Sequence, residues 1–319
     1  MGWKIVVKEA SAMTAVPTGR FAPTPSGKLH LGNILCAMLA YLSVSSKGGR
    51  FFLRIEDVDI PRCPRSLAKQ CIEDLQWLGF TWDGDVIYQS DRSDIYREAL
   101  ERLAAQGHTY PCFCTRAQLM SLAAPNLGDT QVIYQRTCAS LTPQEQAERA
   151  KTRAPAIRLR VPDEDVTFTD GLFGQQLENL ERDCGDFILR RSDGLYGYQL
   201  AVVVDDALQG VTEVVRGRDI LSATPRQLYL QRLLGYDAPA YFHIPLLVDH
   251  NGRRLAKRDR DLDLSALSKR FTPEDILGRL AYSAGLIPEI RPVTLEGLIP
   301  LFDWQKVRTD DLRLPEMDG

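Results

Sequence analysis

Apolar and polar residues along the first third of the chain form blocks that predict strands and helices in alternation. Residues 19–23 and 51–56 are short, mainly apolar runs typical of strands, and a longer segment with helical spacing follows each of them. In the second helical segment, apolar residues recur every three or four positions, at Leu67, Cys71, Leu75 and Leu78. This order predicts an α/β fold with a parallel, doubly wound sheet.

The first predicted helix begins at about His30 and lies in an uncharged stretch, residues 29–46. Gly32, Asn33 and three serines occur in this stretch, and such residues make transfer into lipid unfavourable. We therefore expect a helix buried inside the protein and no membrane span.

The character of the sequence changes after Tyr110, where cysteines, a loop and a polar helix at 141–153 interrupt the alternation. Regular structure resumes near residue 187, where Asp193-Gly194 between two apolar runs predicts a β-hairpin. We then predict a strand at 211–217, a helix at 221–234, a strand at 241–248, and short helices at the end.

These elements indicate a Rossmann-like domain that is split by an insertion. The predicted parts are a lead-in at 1–18, the two halves of the nucleotide-binding domain at 19–110 and 191–262, an inserted subdomain at 111–190, and a small helical appendix at 263–319.

Composition restricts the class of protein. The chain has 319 residues with 44% hydrophobic and 25% charged residues, so disorder is excluded as the main state. Since 39 Lys+Arg nearly balance 42 Asp+Glu, any nucleic-acid contact must come from a local basic face.

The cysteines and the N-terminus indicate the compartment. Seven cysteines do not suggest a disulfide framework, and Lys4, Lys8 and Glu9 argue against a signal peptide. We therefore expect a cytoplasmic protein. The charge balance permits a monomer.

The segment GRFAPTPSGKLHLGN, residues 19–33, predicts a phosphate site. A strand passes through a Pro/Gly turn to a helix N-terminus, where unpaired N–H groups favour anions. His30 and Asn33 lie three residues apart at that helix start. The alternative is that His30 caps its helix and the prolines shape a turn.

Three cysteines in the insertion predict a tetrahedral zinc site, namely Cys112, Cys114 and Cys138. From spacing alone, the fourth ligand is open between Tyr134, His108 and water. The alternative is that these are separate buried thiols.

The 19–33 segment resembles the HIGH signature of class I aminoacyl-tRNA synthetases, in the form found in glutamyl-tRNA synthetases. FFLRIEDVD (51–59) and VVRGRDILSATPRQ (214–227) resemble further segments of that family. NGRRLAKRDRD (251–261) stands where the family has its KMSKS lysine loop, about 220 residues later. Arg254, Ala256 and Arg258 depart from the lysine-loop pattern, and Lys257 keeps it.

The resemblance implies activation of L-glutamate by ATP, with Mg²⁺ on the phosphates. ATP would bind His30, Gly32, Asn33 and Lys257, of which His30, Asn33 and Lys257 act in catalysis. The implied glutamate pocket is Arg20, Phe21, Ala22, Pro23, Thr24, Glu56, Tyr198 and Arg216. Two arginines and one glutamate match the two carboxylates and one ammonium of the substrate. The alternatives are an ion pair of Glu56 with Arg54 or Arg62, and core packing of Tyr198.

The resemblance also favours Tyr134 as the fourth zinc ligand, in a site that braces the insertion. About sixty residues follow Lys257, fewer than an anticodon-reading domain needs. This points to the members of the family that attach glutamate to queuosine in the anticodon of tRNA(Asp), held partly by a basic strip of Arg253, Arg254, Arg258 and Arg260. The alternatives are a truncated synthetase that charges the 3′ end of tRNA(Glu), and a catalytically silent tRNA-binding paralogue.

Overall fold

The structure, a computed structural model, describes residues 16–115, 133–248 and 263–314. Strands and helices alternate in the first of these segments, as the apolar pattern predicts. The elements are β1 (Thr18–Phe21), α1 (Leu31–Ser45), β2 (Arg50–Ile55), α2 (Arg65–Trp77), β3 (Ile87–Tyr88) and α3 (Ser93–Ala105). The three strands pair in parallel in the order β1-β2-β3, which confirms the predicted parallel α/β arrangement.

The next elements build an antiparallel sheet and a hairpin. They are β4 (Thr109–Cys112), α4 (Pro143–Ala150), β5 (Ala156–Leu159), β6 (Asp165–Asp170), β7 (Gly174–Asn179) and β8 (Phe187–Arg190). β4, β5 and β8 pair antiparallel, and β6 pairs antiparallel with β7. The polar helix predicted at 141–153 is therefore present as α4.

The predicted second half of the nucleotide-binding domain contains another set of parallel strands. Its elements are α5 (Tyr198–Leu208), β9 (Glu213–Gly217), α6 (Thr224–Leu234), β10 (Ala240–Ile244) and β11 (Leu247–Val248). β9 and β6 flank β10 in parallel, in the order β7-β6-β10-β9. The Thr212 N–H donates to the Thr18 carbonyl at 2.8 Å, so β9 begins next to the start of β1.

The prediction of a β-hairpin around Asp193-Gly194 is wrong for the segment after the turn. The turn is present, with the Arg191 N–H donating to the Leu195 carbonyl at 2.8 Å, but the following apolar run forms the helix α5. Residues 200–206 of this helix are all buried. A helix that is buried on every side has no polar face, and its apolar run then looks the same as that of a buried strand.

The C-terminal residues pack on the catalytic core. They form α7 (Leu264–Leu267), α8 (Pro273–Ala284), α9 (Leu295–Leu298) and β12 (Leu312–Arg313), which pairs in parallel with β11. Leu277 and Leu280 of α8 share one hydrophobic core with Ile34 and Met38 of α1. The uncharged first helix is thus buried in protein, and among the described residues we find no helix long and apolar enough to cross a membrane.

Candidate active site

A pocket of about 470 Å³ lies where the carboxyl ends of β1, β2, β9 and β10 meet. Ligand sites of open parallel sheets lie at this edge, because the loops that follow the strands gather there. Every predicted glutamate- or ATP-binding residue that the structure describes lines the pocket: Arg20, Phe21, Ala22, Pro23, Thr24, His30, Gly32, Asn33, Glu56, Tyr198 and Arg216. Lys257 and the four arginines of the predicted basic strip lie outside the described residues.

His30 and Asn33 cap the helix that opens onto the pocket. The Gly32 N–H donates to His30 Nδ1 at 3.1 Å, and the His30 N–H donates to Asn33 Oδ1 at 3.2 Å, which forms a reciprocal capping box. A Cβ on Gly32 would lie 3.0 Å from the imidazole, so glycine makes room for this ring. His30 thus caps its helix through Nδ1 and also lines the pocket, so capping and the predicted contact with an anion are compatible.

Arg20 and Glu56 belong to a buried charge network beneath the pocket. Asp206 Oδ1 accepts from Arg20 Nε at 3.0 Å and pairs with Arg54 Nη1 at 2.7 Å. Burial alone would raise the pKa of Asp206, but Arg20 and Arg54 outweigh burial and lower this pKa, so the carboxylate stays charged. Asp206 thus compensates Arg20, and the sequence did not indicate Asp206 as a site residue.

Glu56 both faces the pocket and contacts Arg54, whose Nη2 lies 3.5 Å from Glu56 Oε1. The sequence analysis gave a position in the pocket and an ion pair with Arg54 as alternatives for Glu56, and in the structure Glu56 has both. Burial raises the pKa of Glu56, only partly opposed by Arg54 and Arg20. A cationic group bound in the pocket would stabilise the ionised form of Glu56.

Tyr198 opens α5 at the rim of the pocket. Its side chain is exposed, with a relative accessibility of 40%, so the alternative of core packing in a hairpin is wrong. Tyr198 presents an aromatic ring with a hydroxyl group, which suits contact with a ligand that is partly apolar and partly polar.

Arg216 is buried at the end of β9, with an accessibility of 4%. Its guanidinium donates to three side chains: Nε to His243 Nε2 at 2.9 Å, Nη1 to Gln227 Oε1 at 2.7 Å, and Nη2 to Thr224 Oγ1 at 2.8 Å. None of the three is a carboxylate, and within the described chain Arg216 forms no ion pair. A buried cation without a counter-ion is costly, and a carboxylate bound in the pocket would offset this cost.

His243 contacts Arg216, and Asp170 contacts His243. The sequence analysis did not identify either as a site residue. The two side chains are buried, with His243 Nδ1 at 2.6 Å from Asp170 Oδ2. Burial and the charge of Arg216 lower the pKa of His243 below the ordinary 6.5, although Asp170 acts in the opposite direction. His243 is a single histidine inside an apolar strand, a pattern that gives no sign of a site. Thr224 and Gln227 lay in a segment, 214–227, that the resemblance did single out.

The predicted zinc ligands converge in the insertion. The sulfur atoms of Cys112, Cys114 and Cys138 lie within 4.8 Å of one another, with 3.6 Å between the last two. The Tyr134 hydroxyl is 3.4 Å from Cys112 Sγ and 3.7 Å from Cys114 Sγ. Zinc–sulfur bonds of about 2.3 Å in tetrahedral geometry put the sulfurs about 3.8 Å apart, so the donor set fits zinc. His108 does not join this group, which removes one candidate for the fourth ligand.

The surroundings of the cysteine cluster carry positive charge. The Arg158 guanidinium lies 3.8 Å from the centre of the Tyr134 ring, and Arg149 Nη1 lies 4.0 Å from Cys138 Sγ. Burial raises the pKa of Cys114 to about 11 in the absence of a metal. Nearby cations offset the negative charge that several thiolates would bring together.

Comparison with known proteins gives the family. The family described as tRNA synthetases class I (E and Q), catalytic domain, matches residues 16–282. A glutamyl-Q tRNA(Asp) synthetase from Symbiobacterium thermophilum is 48% identical over 93% of this chain and 95% of its own length. Another from Nitratidesulfovibrio vulgaris is 46% identical with the same coverage.

Solved structures agree with these relatives. A glutamate tRNA ligase from Elizabethkingia meningosepticum, crystallised in complex with its amino acid, superposes with a TM-score of 0.82 at 26% identity. The match covers 94% of this chain and 67% of that ligase. The chain belongs to the class I tRNA synthetases of the glutamate and glutamine group and, within it, to the glutamyl-Q tRNA(Asp) synthetase family.

Proposed function

We propose that this protein activates L-glutamate with ATP and transfers the glutamate to queuosine in the anticodon of tRNA(Asp). The observation that carries the activation step concerns Arg216, a buried cation with no carboxylate partner among the described residues. Arg216 lines the same pocket as Arg20, Glu56 and the capped start of α1. The choice of acceptor rests on relatives of 46% and 48% identity that are glutamyl-Q tRNA(Asp) synthetases.

The pocket matches the charges of glutamate. Arg20 and Arg216 offer guanidinium groups for the two carboxylates, and Glu56 offers a carboxylate for the ammonium group. Glutamine carries an uncharged amide in place of one carboxylate, so it loses a planar, charge-assisted pair with one of the two guanidinium groups. The pocket therefore selects glutamate over glutamine by the loss of that pair.

Activation needs no side-chain nucleophile. An α-carboxylate oxygen of glutamate attacks the α-phosphorus of ATP in line, which forms glutamyl-adenylate and releases pyrophosphate. His30 and the N-terminus of α1 face the phosphates, and Lys257 supplies a cation to the charge that develops on phosphorus. Mg²⁺ on the ATP phosphates supplies further charge neutralisation. A queuosine hydroxyl then attacks the carbonyl carbon of the mixed anhydride and expels AMP.

The cysteine cluster is proposed as a structural zinc site held by Cys112, Cys114, Cys138 and Tyr134. When zinc is bound, it ties β4 to the segment before α4 and so stiffens the insertion. Four protein donors leave no open position, so this site would take no part in the chemistry.

Exchange of pyrophosphate into ATP tests the activation step. We expect exchange with glutamate, little with glutamine, and a roughly 100- to 1000-fold lower rate in Lys257→Ala, the range for one lost donor to a developing charge. Lys269→Ala removes an exposed lysine that does not line the pocket, and its rate should equal that of the wild type. Unchanged exchange in Lys257→Ala would contradict the role given to that lysine.

A further inference from the structure

Three side-chain acceptors fix the orientation of the Arg216 guanidinium. They accept from Nε and from one N–H on each terminal nitrogen, so the described part of the chain leaves two of the five N–H donors for a ligand. The plane of the guanidinium thereby decides whether those two donors meet a carboxylate in a parallel, bidentate pair. Any group that sets this plane affects glutamate binding without touching glutamate.

The protonation of His243 follows from its two partners. An arginine is always protonated and donates through Nε, so His243 Nε2 at 2.9 Å must accept. Asp170 accepts the backbone N–H groups of Leu172 and Phe173, both at 3.0 Å, and that of His243 at 3.1 Å, so its carboxylate oxygens act as acceptors. The Asp170 carboxylate at 2.6 Å therefore requires the proton on Nδ1.

We propose that Asp170 and His243 are positioning residues for glutamate recognition. Asp170 holds His243 in the Nδ1–H tautomer, and His243 Nε2 then orients the Arg216 guanidinium toward the pocket. The opposite tautomer would place an N–H against the N–H of Arg216 Nε, and the guanidinium would turn away. This role rests on the proposed function, since it assigns glutamate as the carboxylate that Arg216 meets.

The substitution Asp170→Asn tests the tautomer. The amide oxygen is expected to keep the backbone donors of Oδ1, which are Leu172, Phe173 and, at 3.3 Å, His243. The NH₂ group then replaces Oδ2, loses the second hydrogen bond from the His243 backbone N–H, faces His243 Nδ1 and drives the proton to Nε2. We expect the KM for glutamate to rise roughly 10- to 150-fold, the range for a lost hydrogen bond to a charged group. The KM for ATP and the rate at saturating glutamate should stay within about twofold of the wild type.

The matched variant is His243→Gln, whose amide oxygen offers Arg216 Nε an acceptor that does not depend on Asp170. We expect it to keep a glutamate KM close to that of the wild type, and to keep it when combined with Asp170→Asn. Unchanged glutamate KM in Asp170→Asn would overturn the proposal. A joint rise in the KM for glutamate and for ATP with a lower melting temperature would also overturn it, because that result describes a structural role alone.

Nitrogen-15 NMR of the wild-type imidazoles gives a readout that does not depend on activity. The chain has four histidines, and His243→Gln identifies the signal to follow. A protonated Nδ1 and an unprotonated Nε2 are expected, and the reverse would overturn the proposal. If the wild type shows no glutamate-dependent pyrophosphate exchange, the proposed function is wrong. The NMR result still shows whether His243 has the tautomer that orients Arg216.

Discussion

Replacing Arg216 with alanine is expected to lower the kcat/KM for glutamate roughly 30- to 5000-fold. Removing one member of a buried charge pair typically costs about 2–5 kcal/mol, which corresponds to this range. The loss should be large because Arg216 has no carboxylate partner in the described protein, so its charge is available to the substrate. The measurement is pyrophosphate exchange over a range of glutamate concentrations.

Two further variants separate charge from geometry. Arg216→Lys keeps a positive charge but loses the planar fork, so we expect an intermediate rate. Arg218→Ala removes a partly exposed arginine two residues away, which pairs with Asp311 at 2.8 Å, and should retain most of the activity. Equal losses in Arg216→Ala and Arg218→Ala would show that this part of the chain matters only for stability.

Loss of the cysteine cluster is the second change with a large expected effect. Cys138→Ser should reduce bound zinc from one equivalent to well below one, and a chelator should lower the melting temperature of the wild type. Structural zinc sites bind with apparent free energies of about 10–16 kcal/mol in small zinc-finger peptides, so we expect the stability of the insertion to depend strongly on bound zinc. Metal analysis and melting curves provide the measurement.

Cys71→Ser is the matched control for the metal analysis. Cys71 is a buried thiol of α2 that lies apart from the cluster, so its replacement should cost stability and leave zinc unchanged. Tyr134→Phe tests the fourth ligand, since a lower zinc affinity is expected if the phenol oxygen binds the metal. A wild-type protein that carries no zinc and melts at the same temperature with chelator would refute the metal site.

The position of the pocket could be predicted from the sequence because the motif residues follow strands. Phe21, Glu56 and Arg216 lie at the carboxyl ends of β1, β2 and β9, and parallel strands bring those ends to one edge. The sequence also predicted that α1 begins near His30, with capping by His30 as the alternative to contact with an anion. Local sequence determines both features, and the structure brings the described residues of both to one pocket.

Features that depend on contacts between distant segments escaped the sequence analysis. The helix α5 was interpreted as a strand because a fully buried helix shows no amphipathic period. Asp206 lies 186 residues from Arg20, and Asp170 lies 73 residues from His243, so no local pattern connects either pair. The resemblance named the arginines that line the pocket, and only the fold revealed the groups that hold them.

Transfer of labelled glutamate to tRNA(Asp) is the most direct test of the proposed function. The tRNA should lack its 3′-terminal adenosine and be prepared with and without queuosine, with ATP and protein present in both reactions. We predict label only on the queuosine-containing tRNA, because glutamate is then joined to the anticodon and the 3′ end offers no acceptor. Absence of label from both, with intact tRNA(Glu) charged in a parallel reaction, would contradict this function and establish a synthetase that charges the 3′ end.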